Sequence, residues 1–194
     1  MQKIILASQS PRRKQLLEWA EVPFEIMIAD TDESYPENLS PGEIAVFIAK
    51  NKALAIRKLL EGSENPPRVI PILAADTIVV LQNEIIGKPK DREDAINILT
   101  RLSGNHHKVI TGVVILNGDK ETSFADTTDV EFHALTKDQI EFYVDKYQPY
   151  DKAGAYAIQE WIGVVGIKSI NGDFYNVMGL PVSRVVQALQ SLNI

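Results

Sequence analysis

The cations Arg12, Arg13, Lys52 and Lys88 and the carboxylates Glu33 and Asp76 are the residues of this chain whose types and settings could do chemistry. Arg12, Arg13 and Lys14 follow Ser10-Pro11, an N-cap serine and a proline suited to the first helical position. The first turn of a helix already carries unpaired N–H groups and the positive end of the dipole, so added cations there cost stability unless an anion joins them. The alternative is a solvated basic face with Ser10 as a plain cap. Asp76 interrupts a long apolar, β-branched run, Val69 to Leu81, that suits a buried central strand. A carboxylate in that setting is costly unless it is paired, hydrogen-bonded, metal-bound or at a mouth of the sheet. Glu33 closes an acidic turn, Asp30-Thr31-Asp32-Glu33, that a purely solvated loop would equally explain. Oxygen donors of this kind suit a hard divalent cation, and the basic residues suit phosphate oxygens. Bases beside a carboxylate–metal centre fit a polyphosphate substrate.

The elements that must position these groups alternate. Ile4 to Ala7 predicts a short buried strand running straight into the Pro11 helix, and Phe24 to Ala29 a second strand. Ser40-Pro41-Gly42-Glu43 is a capping box that starts a helix through about Leu60, closed by Gly62, with Ile44, Phe47, Ile48, Leu54 and Leu59 as its apolar stripe. Lys50 and Lys52 cannot both face one way, because residues two apart on a helix do not share a side, so one of them points towards a site. Glu64 to Arg68 reads as a surface loop. After the Val69–Leu81 strand, Gln82-Asn83 turns the chain into Glu84 to Ile86, and Gly87-Lys88-Pro89 follows, by itself no more than a glycine turn with a solvent lysine. Asp91 caps a helix to Leu102, stopped at Gly104. Val109 to Leu116 and Thr122 to Phe132 predict a hairpin through Asn117-Gly118. Thr136 opens another helix that ends near Lys146. Asp151 to Gln159 fits neither period and suits a pocket-lining segment. Trp161 to Ile170 reads as a strand, Asn171-Gly172-Asp173 as a turn and Pro181 to Leu192 as a final helix. The alternation predicts an α/β domain with a mixed sheet flanked by helices.

The chain has 194 residues, 45% of them hydrophobic, enough for one sizeable core, and the expectation is a single domain over 1–194. A net charge of −6 argues against a general binder of nucleic acid or of anionic membranes, so any polyanion site must be a local basic pocket. The absence of cysteine excludes disulfides, thiolate chemistry and Cys-ligated zinc or iron–sulfur centres, and His106, His107 and His133 lack metal-binding spacing. No apolar run reaches about 18 residues and the N-terminus has no signal-peptide architecture, which makes a cytoplasmic protein the default.

Neither a Walker-type loop, a Gly-x-Gly-x-x-Gly loop nor a Gly-x-Ser-x-Gly elbow occurs. Instead, motifs along the whole chain resemble the Maf-like nucleoside triphosphate pyrophosphatases. They are Leu6-Ala7-Ser8 with Ser10-Pro11-Arg12-Arg13; Lys52-Ala53; Ala75-Asp76-Thr77; Gly87-Lys88-Pro89; Ser103-Gly104 with His107, Val109 and Thr111-Gly112; Asp151-Lys152-Ala153-Gly154-Ala155-Tyr156 with Gln159; and Tyr175-Asn176-Val177 with Gly179-Leu180-Pro181. Each is weak alone, and their joint occurrence in order is specific. The resemblance implies an ITPase-like fold of two closely packed lobes with a central cleft, usually a homodimer. It also implies a hydrolase of phosphorus anhydrides that splits a nucleoside triphosphate into the monophosphate and pyrophosphate with Mg²⁺ or Mn²⁺. The dTTP/UTP branch carries Arg, Thr and Gln where Arg12, Thr77 and Gln159 stand, whereas the branch acting on 7-methyl-GTP typically has Trp, Gln and Glu. A glutamine amide offers one donor group and one acceptor, matching O4 and N3–H of uracil or thymine. Glu160-Trp161 follows Gln159 where relatives often have glycine, a small departure, as is Asp173 where serine is common.

On this resemblance Asp76 is the proton acceptor that activates water, directly or through the metal, and Glu33 with Asp76 ligates the cation. Ser8, Arg12, Arg13, Lys52 and Lys88 hold the phosphates, and Thr77 and Gln159 complete substrate binding. His107 and Thr111 read as fold-bearing, Tyr156 as core or pocket wall, and Ser103-Gly104 as a helix terminator. The expected activity is a house-cleaning one on dTTP and UTP, with a link to cell-division arrest attached to the family, and modified pyrimidine nucleotides such as 5-methyl-UTP or pseudo-UTP equally admitted. The rival is a nucleotide-binding regulator of septum formation without turnover.

Overall fold

The computed structural model describes residues 2–62 and 70–194. The Glu64–Arg68 loop and Val69, the first residue of the expected long strand, lie outside the described residues.

Strand β1 (Ile4–Leu6) is buried on both faces and leads through Ser10 into helix α1 (Pro11–Trp19), where the Ser10 side chain accepts from the Arg13 amide. Strand β2 (Phe24–Ile26) is half the length expected, and the chain beyond it is irregular through the acidic turn to Ser40. Helix α2 (Pro41–Glu61) starts with both halves of the predicted capping box and ends at Gly62. Its buried face differs from the predicted stripe: Ala45, Ala49, Ala53 and Ile56 join Ile44 and Ile48, while Phe47 and Leu54 are only half-buried and Leu59 is exposed. The reason is close approach. At Gly112 an added Cβ would lie 2.2 Å from the carbonyl carbon of Ala45, so helix and strand backbones nearly touch and only small residues fit between them.

Strand β3 (Ile72–Leu81) is followed by β4 (Glu84–Ile86) through Gln82 and Asn83, both at positive φ, and then by helix α3 (Arg92–Leu102) capped by Asp91. Strands β5 (His106–Asn117) and β6 (Lys120–Phe132) form the expected hairpin, but its two loop residues are Gly118 and Asp119, one position later than Asn117-Gly118. Helix α4 (Lys137–Tyr147) opens with a capping box at Thr136, and a single 3₁₀ turn, Ala153–Ala155, lies within the irregular Asp151–Gln159 stretch. The strand expected from Trp161 is instead helix α5 (Trp161–Gly166) followed by strand β7 (Ile167–Asn171). The β-branched Ile162, Val164 and Val165 favour strand locally, and packing around Gly163 and the buried Ile162 overrides that weak preference. A short helix α6 (Phe174–Met178), absent from the sequence expectation, precedes α7 (Val182–Ser191).

The seven strands form one mixed sheet in the order β2-β1-β3-β5-β6-β7, with β4 on β3. β1 pairs in parallel with β2 and β3, whereas β4 on β3 and β7 on β6 are antiparallel. The chain divides into two compact units. One comprises residues 1–76, 111–126 and 179–194; the other comprises 77–110 and 127–178. The first has a core of Ile5, Ala7, Ala49, Ala53, Ile56, Ile72, Ala74, Val114 and Leu116. In the second, His107, Phe132 and Tyr156 meet edge to face with centroids 5.0–5.5 Å apart. Among the described residues no helix is long and apolar enough to cross a membrane.

Candidate active site

The α1 end of the first unit sorts its three cations. Arg13 turns inward and is buried: its Nε donates to the Gly179 carbonyl at 2.8 Å and its NH1 to Ser8 Oγ at 3.0 Å. Ser8 Oγ also accepts from the Ser10 amide at 3.2 Å, which fixes the turn between β1 and α1. Arg12 is half-buried beside it, and Lys14 points away to Glu18 one turn on. Burial pulls the Arg13 guanidinium below its ordinary value; the charges of Asp76 and Glu33 oppose that pull and Arg12 adds to it. A guanidinium stays protonated under such a shift, so a buried, fixed cation faces the two acids.

Of the two α2 lysines, Lys52 is the one that points inward. Its Nζ lies 2.7 Å from Glu33 Oε1 and 2.7 Å from Asp76 Oδ1, while Lys50 reaches Glu121 on the opposite side at 2.9 Å. The Asp76 side chain is 15% exposed and the Glu33 side chain 53%, so one acid is sheltered in the strand and the other lies on a solvent-facing loop. In β3, Asp76 and Thr77 are the two residues not buried in an otherwise buried run. The strand therefore opens at the acid, as one at a mouth of the sheet would. Ser8, Arg13, Glu33, Lys52 and Asp76 are thus brought together within the first unit, with Arg12 next to Arg13.

The other three expected site residues belong to the second unit. Thr77 begins its share of β3, Lys88 is exposed after β4, and Gln159 is exposed at the end of a buried run from Gly154 to Ile158. The Gly154 amide donates to the Gly87 carbonyl at 3.1 Å, and an added Cβ at Gly154 would lie 2.9 Å from a methyl of Val79. These contacts tie the segments bearing Lys88, Gln159 and Thr77 to one another.

Among the described residues no group of three or more His, Asp or Glu side chains is disposed to hold a metal ion. The donor chemistry of Glu33 and Asp76 nonetheless fits a hard divalent cation: both are oxygen donors and both already turn towards one positive charge, that of Lys52.

The residue reading gave no role to three polar groups of the second unit. Lys152 is buried, with Nζ 2.8 Å from Asp151 Oδ1 and 3.6 Å from Glu160 Oε1, and the Tyr143 hydroxyl donates to Glu160 Oε2. Lys152 sits inside the Asp151–Tyr156 motif and Glu160 at the departure that follows Gln159, whereas Tyr143 carried no signal. His107, read as fold-bearing, is buried with Nε2 2.7 Å from the Tyr156 hydroxyl, and burial lowers its pKa to about 4. Burial likewise pushes the Tyr156 phenol upward. Thr111 is fully buried, and Ser103, beyond ending α3, accepts from the Leu135 amide at 2.7 Å.

Three comparisons with known proteins bear on this geometry. The family model described as Maf-like protein matches residues 3–192. The dTTP/UTP pyrophosphatase of Cytophaga hutchinsonii is 49% identical over 97% of this chain and 84% of its own length. The protein of the same description from Bacillus velezensis is 46% identical over 99% of this chain and 97% of its own. Among solved structures, the Staphylococcus aureus Ham1 protein superposes with a TM-score of 0.51 at 18% identity, covering all of both chains, and so shares the fold.

Proposed function

The chain belongs to the Maf-like family, and from that premise we propose that it is a dTTP/UTP pyrophosphatase that splits these nucleotides into the monophosphate and pyrophosphate. Relatives of that description match nearly the full chain, and Arg12, Thr77 and Gln159 stand where the resemblance places that branch's residues. The observation that carries the reading is the Lys52 ammonium held 2.7 Å from both Glu33 and Asp76, the two acids whose charge the buried Arg13 also feels.

Asp76 takes the proton from the water that attacks the α–β anhydride, and pyrophosphate leaves with the bridging oxygen. Its sheltered carboxylate is oriented by Lys52, as a general base must be. Arg13 is held by Gly179 and Ser8 in one pose, so its charge is in place before the transition state forms. Arg12, Lys88 and Ser8 supply further contacts to phosphate oxygens. Lys52 has three N–H donors, two of which serve the carboxylates, so one remains to serve phosphate. Glu33 and Asp76 would hold Mg²⁺ or Mn²⁺, which supplies charge neutralisation on the phosphate oxygens. Thr77 and Gln159 read the pyrimidine. A homodimer acting in the cytoplasm, on free nucleotides rather than on nucleic acid or membrane, completes the proposal.

The test is pyrophosphate release from UTP, dTTP, CTP and ATP with Mg²⁺ or Mn²⁺. UTP and dTTP are expected to turn over well above the others. Tight nucleotide binding with no product under any metal would replace this reading by that of a nucleotide-responsive regulator.

A further inference from the structure

We propose that Glu160 is a positioning residue for pyrimidine selection: with Tyr143 and Lys152 it latches the turn that presents Gln159. The inference rests on the reading of Gln159 as the base-contacting residue.

Glu160 stands at the N-cap of α5 with extended backbone, φ −96° and ψ 179°, yet its side chain makes no capping hydrogen bond. An acid at this position would ordinarily bond the first free amides of the helix. Here it turns away. One carboxylate oxygen accepts from the Tyr143 hydroxyl and the other lies 3.6 Å from Lys152 Nζ. Both partners are buried, Tyr143 completely and Lys152 to within 8%.

The same Tyr143 hydroxyl accepts from the Ala157 amide at 3.2 Å, so one phenol oxygen grips both ends of the Ala157–Glu160 turn. Within the turn the Glu160 amide donates to the Ala157 carbonyl at 3.1 Å. Behind it Gly163 packs so tightly that a Cβ would fall 1.7 Å from the Ile158 carbonyl oxygen. Gln159 is the residue left pointing outward. An exposed amide on a free loop would have to be ordered when it meets a base; one on a turn held at Ala157 and Glu160 has lost backbone freedom before binding. Lys152 gives the latch its charge, because a buried ammonium needs an acid and Asp151 and Glu160 are the two within reach.

The experiment measures kcat and KM for UTP and CTP in the full-length protein. Glu160→Ala is expected to raise the KM for UTP about tenfold and to lower the UTP-over-CTP ratio of kcat/KM by a similar factor, with kcat within about twofold, since misplacement of a contacting group costs orders of magnitude only when the reacting atoms move. Glu160→Gln, which still accepts from Tyr143, should restore most of the ratio. Tyr143→Phe should lower it as Glu160→Ala does, and stands in if that variant fails to fold. In a Gln159→Ala background, Glu160→Ala should change the ratio no further. A ratio that survives in Gln159→Ala removes the base-reading role and the latch with it. A ratio lost in Gln159→Ala but kept in both Glu160→Ala and Tyr143→Phe overturns the latch alone.

Discussion

The buried guanidinium of Arg13 in the first unit and the buried imidazole of His107 in the second sit among different charges. Around Arg13 the charges are matched: Arg13 and Lys52 stand with the sheltered Asp76 and the half-exposed Glu33, and the two acids oppose the burial that lowers the Arg13 pKa. In the second, the aromatic nest around His107 is neutral, and the one charge acting on that imidazole is the like charge of His106, which adds to burial rather than opposing it. Burial sets the direction in both, and the neighbouring acids work against it at Arg13 whereas His106 works with it at His107.

The sharpest way to break this contrast is Asp76→Asn. Loss of the proton acceptor should lower kcat on UTP by about a thousandfold, within the range for general-base removal, while nucleotide affinity measured by calorimetry changes only severalfold. Near-normal turnover would put the chemistry elsewhere. Next in size is the pH response of the neutral nest. An unfolded histidine takes up its proton near 6.5, whereas His107 in the fold does so only at about 4. The unfolded chain thus binds the extra proton first, and stability falls as pH drops from 6.5 towards 4, by about 3 kcal/mol from this group. Denaturant titrations at pH 7 and 4.5 would show it, and His107→Phe should flatten that slope.

Gly112→Ala should follow, at about 2 kcal/mol, because its methyl would collide with the Ala45 backbone and overpacking of this kind costs 1–3 kcal/mol. Thermal melting would register a drop of about 6 °C in a chain of this size. Smallest is Lys50→Ala, which breaks an exposed pair with Glu121 and should shift stability by less than about 0.5 kcal/mol and leave turnover unchanged. Were Lys50→Ala as damaging as a change at Lys52, the assignment of inward and outward faces on α2 would be wrong.

What the residue pattern revealed, and what it hid, follows from the range of the interactions. The α2 capping box is local and was legible, and so was the oddity of an acid in β3, since a carboxylate in an apolar strand needs a reason. The choice of Lys52 over Lys50 could be posed from helical period but not answered, because Glu33 and Asp76 approach from distant points in the chain. The helical state of Trp161–Gly166 was hidden, as its β-branched residues argue for strand and only tertiary packing reverses them. Leu59 looked like core by period and is solvent-facing, because Ala45 against Gly112, with the buried Ala49 and Ala53, does the packing elsewhere on the helix. The Tyr143–Glu160 bond joins residues 17 apart with no shared motif, and nothing in the letters announces it.

The backbone passes from one unit to the other between residues 76 and 77, 110 and 111, 126 and 127, and 178 and 179, and the first three crossings fall inside β3, β5 and β6. No single cut can then release a unit as an autonomous fragment, and a chimaera exchanging base preference between relatives must be spliced at several mid-strand joints. The peptide link from Asp76 to Thr77 is one such joint, so the proposed proton acceptor and one proposed substrate-binding residue are neighbours in the chain and would be inherited together.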